Sequence, residues 1–446
     1  MSIPNIIHPH PGPKTIDAIS RLKQTEMNAS LSFGMSKDAL IAKKALGSKI
    51  EDIDGNIFLD FVAGYGSLNA GHCHPKIVNA VCKQVAQVHQ AMSMGSEIRI
   101  QMQEKLLSLF EGPKRSVILG TGGSEAAEIA LKIARRETRK SEIVAFTGAF
   151  HGRTLGSLAL MGRKNQRDGI GTLIPGIHHI PYPYLYRSIF GENEKSCIEG
   201  TISLIEEFLS NPSSGWGNVA AVIIEPVQGN GGMIPAPIGF LKNLRNLCDK
   251  HGIILIFDEV MSGFCRTGQT FAYQHEYGIE PDIVVLGKSI SGGFPLSACV
   301  VKSDIVSSNP GTEGSTYGGN LVSCAASLAS MEIYEEESYT DRAKDLGEYF
   351  LRKLIPLKEK FAIVGDIRGR GLMVGIELVE ERNSKIPLSE AKKCSQKALE
   401  KGLLLYPGGH HLNVLAFLPP IVVKKEEVDT AVCIIDEVLT EILQGL

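Results

Sequence analysis

Residues 253–260 read IILIFDEV, and residues 282–295 read DIVVLGKSISGGFP. Each contains a short, unbroken apolar run that ends at a charged side chain, Asp258 in one and Lys288 in the other. Three further runs lie upstream: SVILG at 116–120, EIVAFT at 142–147 and NVAAVIIE at 218–225, the last closing on Glu225. Helical stretches and Gly-containing turns separate them. Short continuous apolar runs alternating with helices predict an α/β fold, in which a mostly parallel, buried sheet carries helices on both faces. In an open sheet of this kind, ligands bind beyond the C-terminal ends of the strands. Glu225, Asp258 and Lys288 are all delivered to that edge, so two carboxylates and an amine are expected to share one crevice.

The remaining sequence sets the frame around this sheet. A chain of 446 residues is too long for one small core and suits a large domain with a smaller companion. Residues 1–50 are mixed and Pro-containing and read as an arm contributing to the small domain. Residues 51–325 form the expected large domain, and 326–446 a smaller α+β domain. Long helices are expected over 321–360, then strands in GRGLMVGIEL (369–378), GLLLYP (402–407) and NVLAFL (413–418). A net charge of -3 gives no reason to expect nucleic acid or an anionic membrane as a partner. No apolar run approaches the length of a bilayer span, and the N-terminus lacks a signal-peptide layout. The nine cysteines follow no framework spacing and read as free thiols in a reducing compartment, so a cytoplasmic location is expected.

The flanks of Lys288 give it chemistry. An apolar strand before it and a Ser/Gly loop after it desolvate the amine, which lowers its pKa and makes it a nucleophile toward an aldehyde. Asp258 ends so apolar a strand that it needs a partner; the protonated ring nitrogen of pyridoxal phosphate is one, and a metal ion or a helix cap is the alternative. Glu259 faces the opposite way and reads as structural, whereas Val260 returns to the ligand side. SVILGTGGSEAAEIALKIARR (116–136) is strand, glycine turn, helix, and sets Gly123 and Ser124 against a phosphate at a helix N-terminus. It has no Gly-Lys-Ser/Thr of a nucleoside-triphosphate loop, nor the third glycine and distant acid of a dinucleotide site. A monophosphate fits best. GAFHGRT (148–154) brings Phe150 to stack on a flat ring, with His151 and Arg153 at the same crevice, and STYGGN (315–320) offers the Thr316 hydroxyl as a second phosphate contact. GHCHP (71–75) crowds two histidines and a cysteine, but nothing downstream completes a ligand set, so no metal is expected.

GTGGSEAAE, FHGRT, IIEPVQGNGG, IFDEV, GKSISGGFP and STYGGN occur in this order, and together they resemble the class III (ornithine/4-aminobutyrate type) aminotransferases of pyridoxal-phosphate fold type I. The resemblance runs from IEDIDGNIFLDFVAGYGSLNAGHCHP to FLPPIVVKKEEVD. It implies that Lys288 carries the cofactor as a Schiff base and shuttles the proton. It further implies that Asp258 pairs with the pyridine nitrogen and Gln228 approaches the ring hydroxyl. Phe150 and Val260 sandwich the ring, with His151 and Glu225 beside it. Gly123 and Ser124 hold the phosphate, and Thr316 reaches it from the other subunit of a homodimer with shared active sites. Most members carry an arginine for the substrate α-carboxylate in a stretch like N-x-x-R-F-x-P-P-L. Here NVLAFLPP puts Ala416 at that position, which leaves Glu225 without that partner and Arg153 available for a distal carboxylate. Tyr65, in FVAGYGSLN, is expected to shape the substrate entrance.

The function expected is amino transfer between an amine or amino-acid donor and an oxo acceptor, with one substrate lacking the usual α-carboxylate: a diamine, an amino sugar or another amine. An amino-acid or amino-lactam racemase or epimerase would use the same lysine and return the proton to the same carbon. A nicotinamide dehydrogenase is disfavoured by the missing glycine and acid. A non-catalytic interaction protein has no need of Lys288, Asp258 and Glu225 at strand ends.

Overall fold

All five apolar runs become strands of one sheet. The computed structural model describes residues 3–29, 39–92, 94–306 and 309–445. Its seven-stranded sheet has the order Arg115–Gly120, Ser297–Lys302, Ile283–Leu286, Ile254–Asp258, Val219–Ile224, Glu142–Phe146, Ile177–Ile180. The four pairs from Ile283–Leu286 to Ile177–Ile180 are parallel, whereas Ser297–Lys302 runs against both of its neighbours. Every residue of Val219–Ile224, Ile254–Asp258 and Ile283–Leu286 is buried. Burial on both faces is why these strands read as unbroken apolar runs and not as alternating ones. The helix Gly123–Thr138 buries Ala126, Ala127, Ile129, Ala130, Leu131, Ile133 and Ala134 against sheet residues such as Ala221, Ile256 and Val285. Its alanines let the helix lie close to the sheet, and its larger members fill the rest; Ile133→Ala would cost about 2–5 kcal/mol.

Two compact units result, and their boundaries differ from those expected at 50 and 325. One comprises Met1–His74 with Lys344–Leu446, the other Pro75–Ala343. Residues 51–74 join the C-terminal segment because Ile57–Asp60 pairs in parallel with Leu403–Leu404, Leu59 opposite Leu403. The arm is tied to the same unit: Asn5 and Ile57 exchange backbone hydrogen bonds of 2.9 Å, and the Asp54 carboxylate accepts the N–H groups of Lys14 and Thr15. The helix Leu321–Glu336 stays with the sheet unit, packed on helices Pro75–Val85 and Glu97–Ser108.

The smaller unit has a second, antiparallel sheet in the order Val364–Arg370, Met373–Leu378, Val414–Phe417, Tyr406–Gly408. GRGLMVGIEL is thus a hairpin, turned at Gly371 with φ +55°, and not one strand. Among the described residues no helix is long and apolar enough to cross a membrane. All nine cysteines are unpaired.

Candidate active site

The strand ends Gly120, Phe146, Ile224, Asp258 and Leu286 lead into five loops that enclose one cavity of about 150 Å³. Its lining includes Gly123, Ser124, Phe150, His151, Glu225, Asp258, Val260 and Lys288, so the structure brings together eight of the residues expected from sequence. Lys288 opens a short 3-10 turn with φ +47°, a conformation that costs a non-glycine residue on the order of 1–3 kcal/mol. The Tyr334 hydroxyl secures that turn by donating to the Ser289 carbonyl at 2.8 Å. Part of Lys288 remains accessible through the cavity, yet burial pulls its pKa down to about 8, with the Arg266 guanidinium assisting and Glu225 and Asp258 opposing.

Asp258 and His151 form a buried pair, Oδ2 to Nδ1 at 2.7 Å, and Asp258 Oδ1 accepts the Val260 N–H at 3.0 Å. Burial, the largest single influence, depresses the imidazole pKa; the hydrogen bond to Asp258 and the charges of Asp258 and Glu225 together outweigh it, and the pKa is raised. His151 Nε2 is buried with no hydrogen-bond partner among the described residues. The helix Gly123–Thr138 begins at Gly122 with no side-chain cap, which leaves its first-turn N–H groups at the cavity wall. Gly152 must be glycine there: its φ is +139°, and a Cβ would lie 2.4 Å from Ser124 Oγ. The Arg153 N–H donates to Ser124 Oγ at 3.1 Å, which frees the serine proton for another acceptor.

Glu225 is not the freed carboxylate expected. Its two oxygens accept the N–H groups of Phe150 and Gly229, both at 2.9 Å, so it clips two loops together; burial raises its pKa. Gln228 is buried but is not among the lining side chains, and its amide donates to the Thr147 carbonyl at 2.9 Å. Arg153 is exposed, its guanidinium 5.8 Å from the Phe150 ring centroid. Thr316 is exposed and does not line this cavity.

Sequence reasoning missed Asn230, Met261 and Gly152 in the lining, and the fully buried Arg266 whose charge acts on Lys288. Gly152 lies inside the quoted FHGRT and Asn230 inside IIEPVQGNGG; Met261 sits in a loop where residue type alone carries no signal.

The two remaining expected residues lie in the smaller unit. Residues 63–66 all have positive φ, from 47° at Ala63 to 80° at Gly66. Asp60 holds this left-handed turn, Oδ1 accepting Val62 N–H and Ala63 N–H at 2.8 Å, while Oδ2 meets His72 Nε2 at 2.7 Å. The turn presents Tyr65 edge-on to Tyr406, with ring centroids 5.2 Å apart. Tyr406 is the cross-strand neighbour of Ala416, which is itself fully buried.

The sequence model of the family described as Aminotransferase class-III matches residues 33–439. The chain is a class-III aminotransferase. It is 35% identical to an alanine/serine racemase of Pyrococcus horikoshii over 100% of this chain and 94% of that protein. A 5-aminovalerate aminotransferase of Pseudomonas putida is 38% identical over 89% of this chain and 93% of its own length. Among solved structures, an amine transaminase from an uncultivated Pseudomonas species, with pyridoxal phosphate bound, superposes with a TM-score of 0.87 at 29% identity, over 94% of this chain and 99% of the other. The aminotransferase therefore has the fold type I architecture, and pyridoxal phosphate is its cofactor. Its site fits that group: a lysine of lowered pKa, an aspartate at the end of a buried strand, and an uncapped helix start whose neighbouring glycine leaves no room for a Cβ.

Proposed function

We propose that this aminotransferase moves an amino group from an amine whose reacting carbon bears no carboxylate, such as a diamine, an amino sugar or another amine, to an oxo acceptor. Bound pyridoxal phosphate supplies an aldehyde and a protonated pyridine ring that draws electron density from the bond being broken. Lys288 Nζ would hold the cofactor and then, released, take the proton from the amine-bearing carbon; a pKa of about 8 suits a group that must be both base and acid near neutrality. Asp258 would keep the ring nitrogen protonated, with His151 orienting its carboxylate. Gly123 and Ser124 would hold the phosphate, and Phe150 and Val260 the two ring faces.

The substrate reading rests on one observation: position 416, fully buried beside Tyr406, holds an alanine, which has no guanidinium to offer a carboxylate. The names of two of the similar proteins, an amine transaminase and a 5-aminovalerate aminotransferase, agree with an amine remote from any carboxylate. The racemase relative favours a second reading, in which Lys288 returns the proton to the carbon it came from.

A panel of diamines, amino sugars and α-amino acids, each mixed with enzyme in the absence of acceptor, separates these. Amino transfer converts the bound cofactor to its amine form stoichiometrically with the best donor, whereas racemisation leaves it as the aldehyde. Preference for α-amino acids by a wide margin would sink the substrate assignment. Borohydride should fix the cofactor on Lys288, and Lys288→Ala should abolish turnover; label on another lysine would overturn the site.

The working unit in this proposal is a homodimer in a reducing, cytoplasmic compartment. Its support is the Thr316 side chain exposed away from its own cavity, the unpaired cysteines, and Val78, Val85, Val88, Met92, Met94 and Ile100, each at least 44% exposed. A second copy would cover that stretch and receive Thr316 at its phosphate.

A further inference from the structure

Thr316 lies in a loop that is held far more firmly than an exposed loop needs to be. Glu313, its side chain only 5% exposed, meets Lys132 Nζ at 2.5 Å and Arg136 Nη2 at 2.9 Å. Arg136 also donates to the Thr312 hydroxyl at 3.2 Å. Ser315 bonds the Glu125 side chain, and the Gln90 amide donates to the Thr316 carbonyl at 2.8 Å. Two residues on, a Cβ at Gly318 would lie 2.3 Å from the Leu119 carbonyl, so the loop backbone lies directly against the end of a sheet strand. Glu125, Lys132 and Arg136 all belong to the helix Gly123–Thr138, whose first turn lines the cavity of its own chain.

We propose that Glu313 is a positioning residue for cofactor binding in the neighbouring subunit. Its ion pairs with Lys132 and Arg136 set the loop so that Thr316 projects at a fixed height toward the partner's phosphate. A nearly buried carboxylate shared by two cations is a rigid anchor, since leaving the loop's seat would cost it both partners at a desolvated charge. The inference rests on the shared-site homodimer proposed above. It adds that one helix serves two cofactors, its start holding one and its flank aiming a hydroxyl at the other.

Mixed dimers test it, purified with two tags as holoenzyme. Lys288→Ala in one chain leaves a single lysine-bound, visibly absorbing cofactor per dimer, and its release is followed on dilution into cofactor-free buffer. When the Lys288→Ala chain also carries Glu313→Ala, the reporting site receives the altered loop and release should accelerate about tenfold, the scale of one lost hydrogen bond. When Glu313→Ala sits on the Lys288 chain instead, release should match the dimer carrying Lys288→Ala alone. A purely structural role would act within its own chain and reverse this pattern, or affect both arrangements equally; either result overturns the proposal. Thr316→Val in the same two arrangements isolates the premise. If it fails to act across the dimer, the shared-site reading is wrong; if it acts across and Glu313→Ala does not, the positioning role is wrong. Should Glu313→Ala chains fail to fold, Lys132→Ala, at a half-exposed side chain, repeats the test with the same expected pattern.

Discussion

Glu259 follows Asp258 directly and lives in a different world. Its carboxylate is fully buried, accepting the Tyr273 N–H at 2.8 Å and the Ser262 hydroxyl, and burial pushes its pKa up to about 7. In the unfolded chain the same group titrates near 4.5. Between those values the folded protein binds more protons than the unfolded one, so stability falls as pH rises, and above about 7 the whole loss is in place. Glu259→Gln removes the titration and can keep both contacts. It is expected to stabilise the protein at pH 8.5 by roughly 2–3 kcal/mol and much less at pH 5.5. Thermal unfolding at the two pH values checks this; an equal shift at both would assign the effect to packing and not to charge. That Glu259 faces away from the ligand was legible in sequence, because side chains alternate along a strand. The role of Glu225 was not. Its partners are the N–H groups of Phe150 and Gly229, and no pattern of side chains announces that two backbone segments converge on one carboxylate.

The site is assembled by loops at the level of whole elements, and one tight join is between the FHGRT loop and the helix starting at Gly123. At Gly152 a methyl group would meet the Ser124 hydroxyl at 2.4 Å and the Ser124 Cα at 2.7 Å, in a conformation that L residues rarely adopt. Gly152→Ala should therefore push the loop off the helix start while leaving the sheet intact. The expected result is a folded protein whose affinity for pyridoxal phosphate drops roughly a hundredfold, about 2.7 kcal/mol. Titration of the cofactor-free protein measures it, and unchanged affinity would mean that the loop can retreat without disturbing the cradle. The strands leading to this join were readable because burial on both faces leaves continuous apolar runs. Ile177–Ile180 escaped because its centre is His178-His179, and Ser297–Lys302 because it follows the lysine loop directly and runs antiparallel. Strand order is a property of crossovers, which a linear pattern does not encode.

For the whole molecule, the proposed homodimer makes the exposed apolar residues between 78 and 100 the hydrophobic part of an interface. Val88→Glu with Met92→Glu should yield a monomer by sedimentation that also loses cofactor, because Thr316 no longer reaches its target. A native chain that sediments as an active monomer would refute the arrangement. Domain boundaries were the least legible feature of the sequence. Composition changes little at 74 or 343, and the division follows from which strand pairs with which across hundreds of residues. That pairing has a consequence for synthesis. Phe58 and Leu59 belong to a sheet whose fourth strand is Leu403–Leu404, and Phe61, just beyond their strand, donates its N–H to the Leu404 carbonyl; all three are fully buried in the finished protein. At roughly 5–20 residues per second, a ribosome delivers that strand on the order of 20–70 s after the third. The sheet unit can fold in the interval, while the first segment waits with its aromatic side chains in water, a natural client for whatever holds nascent chains apart.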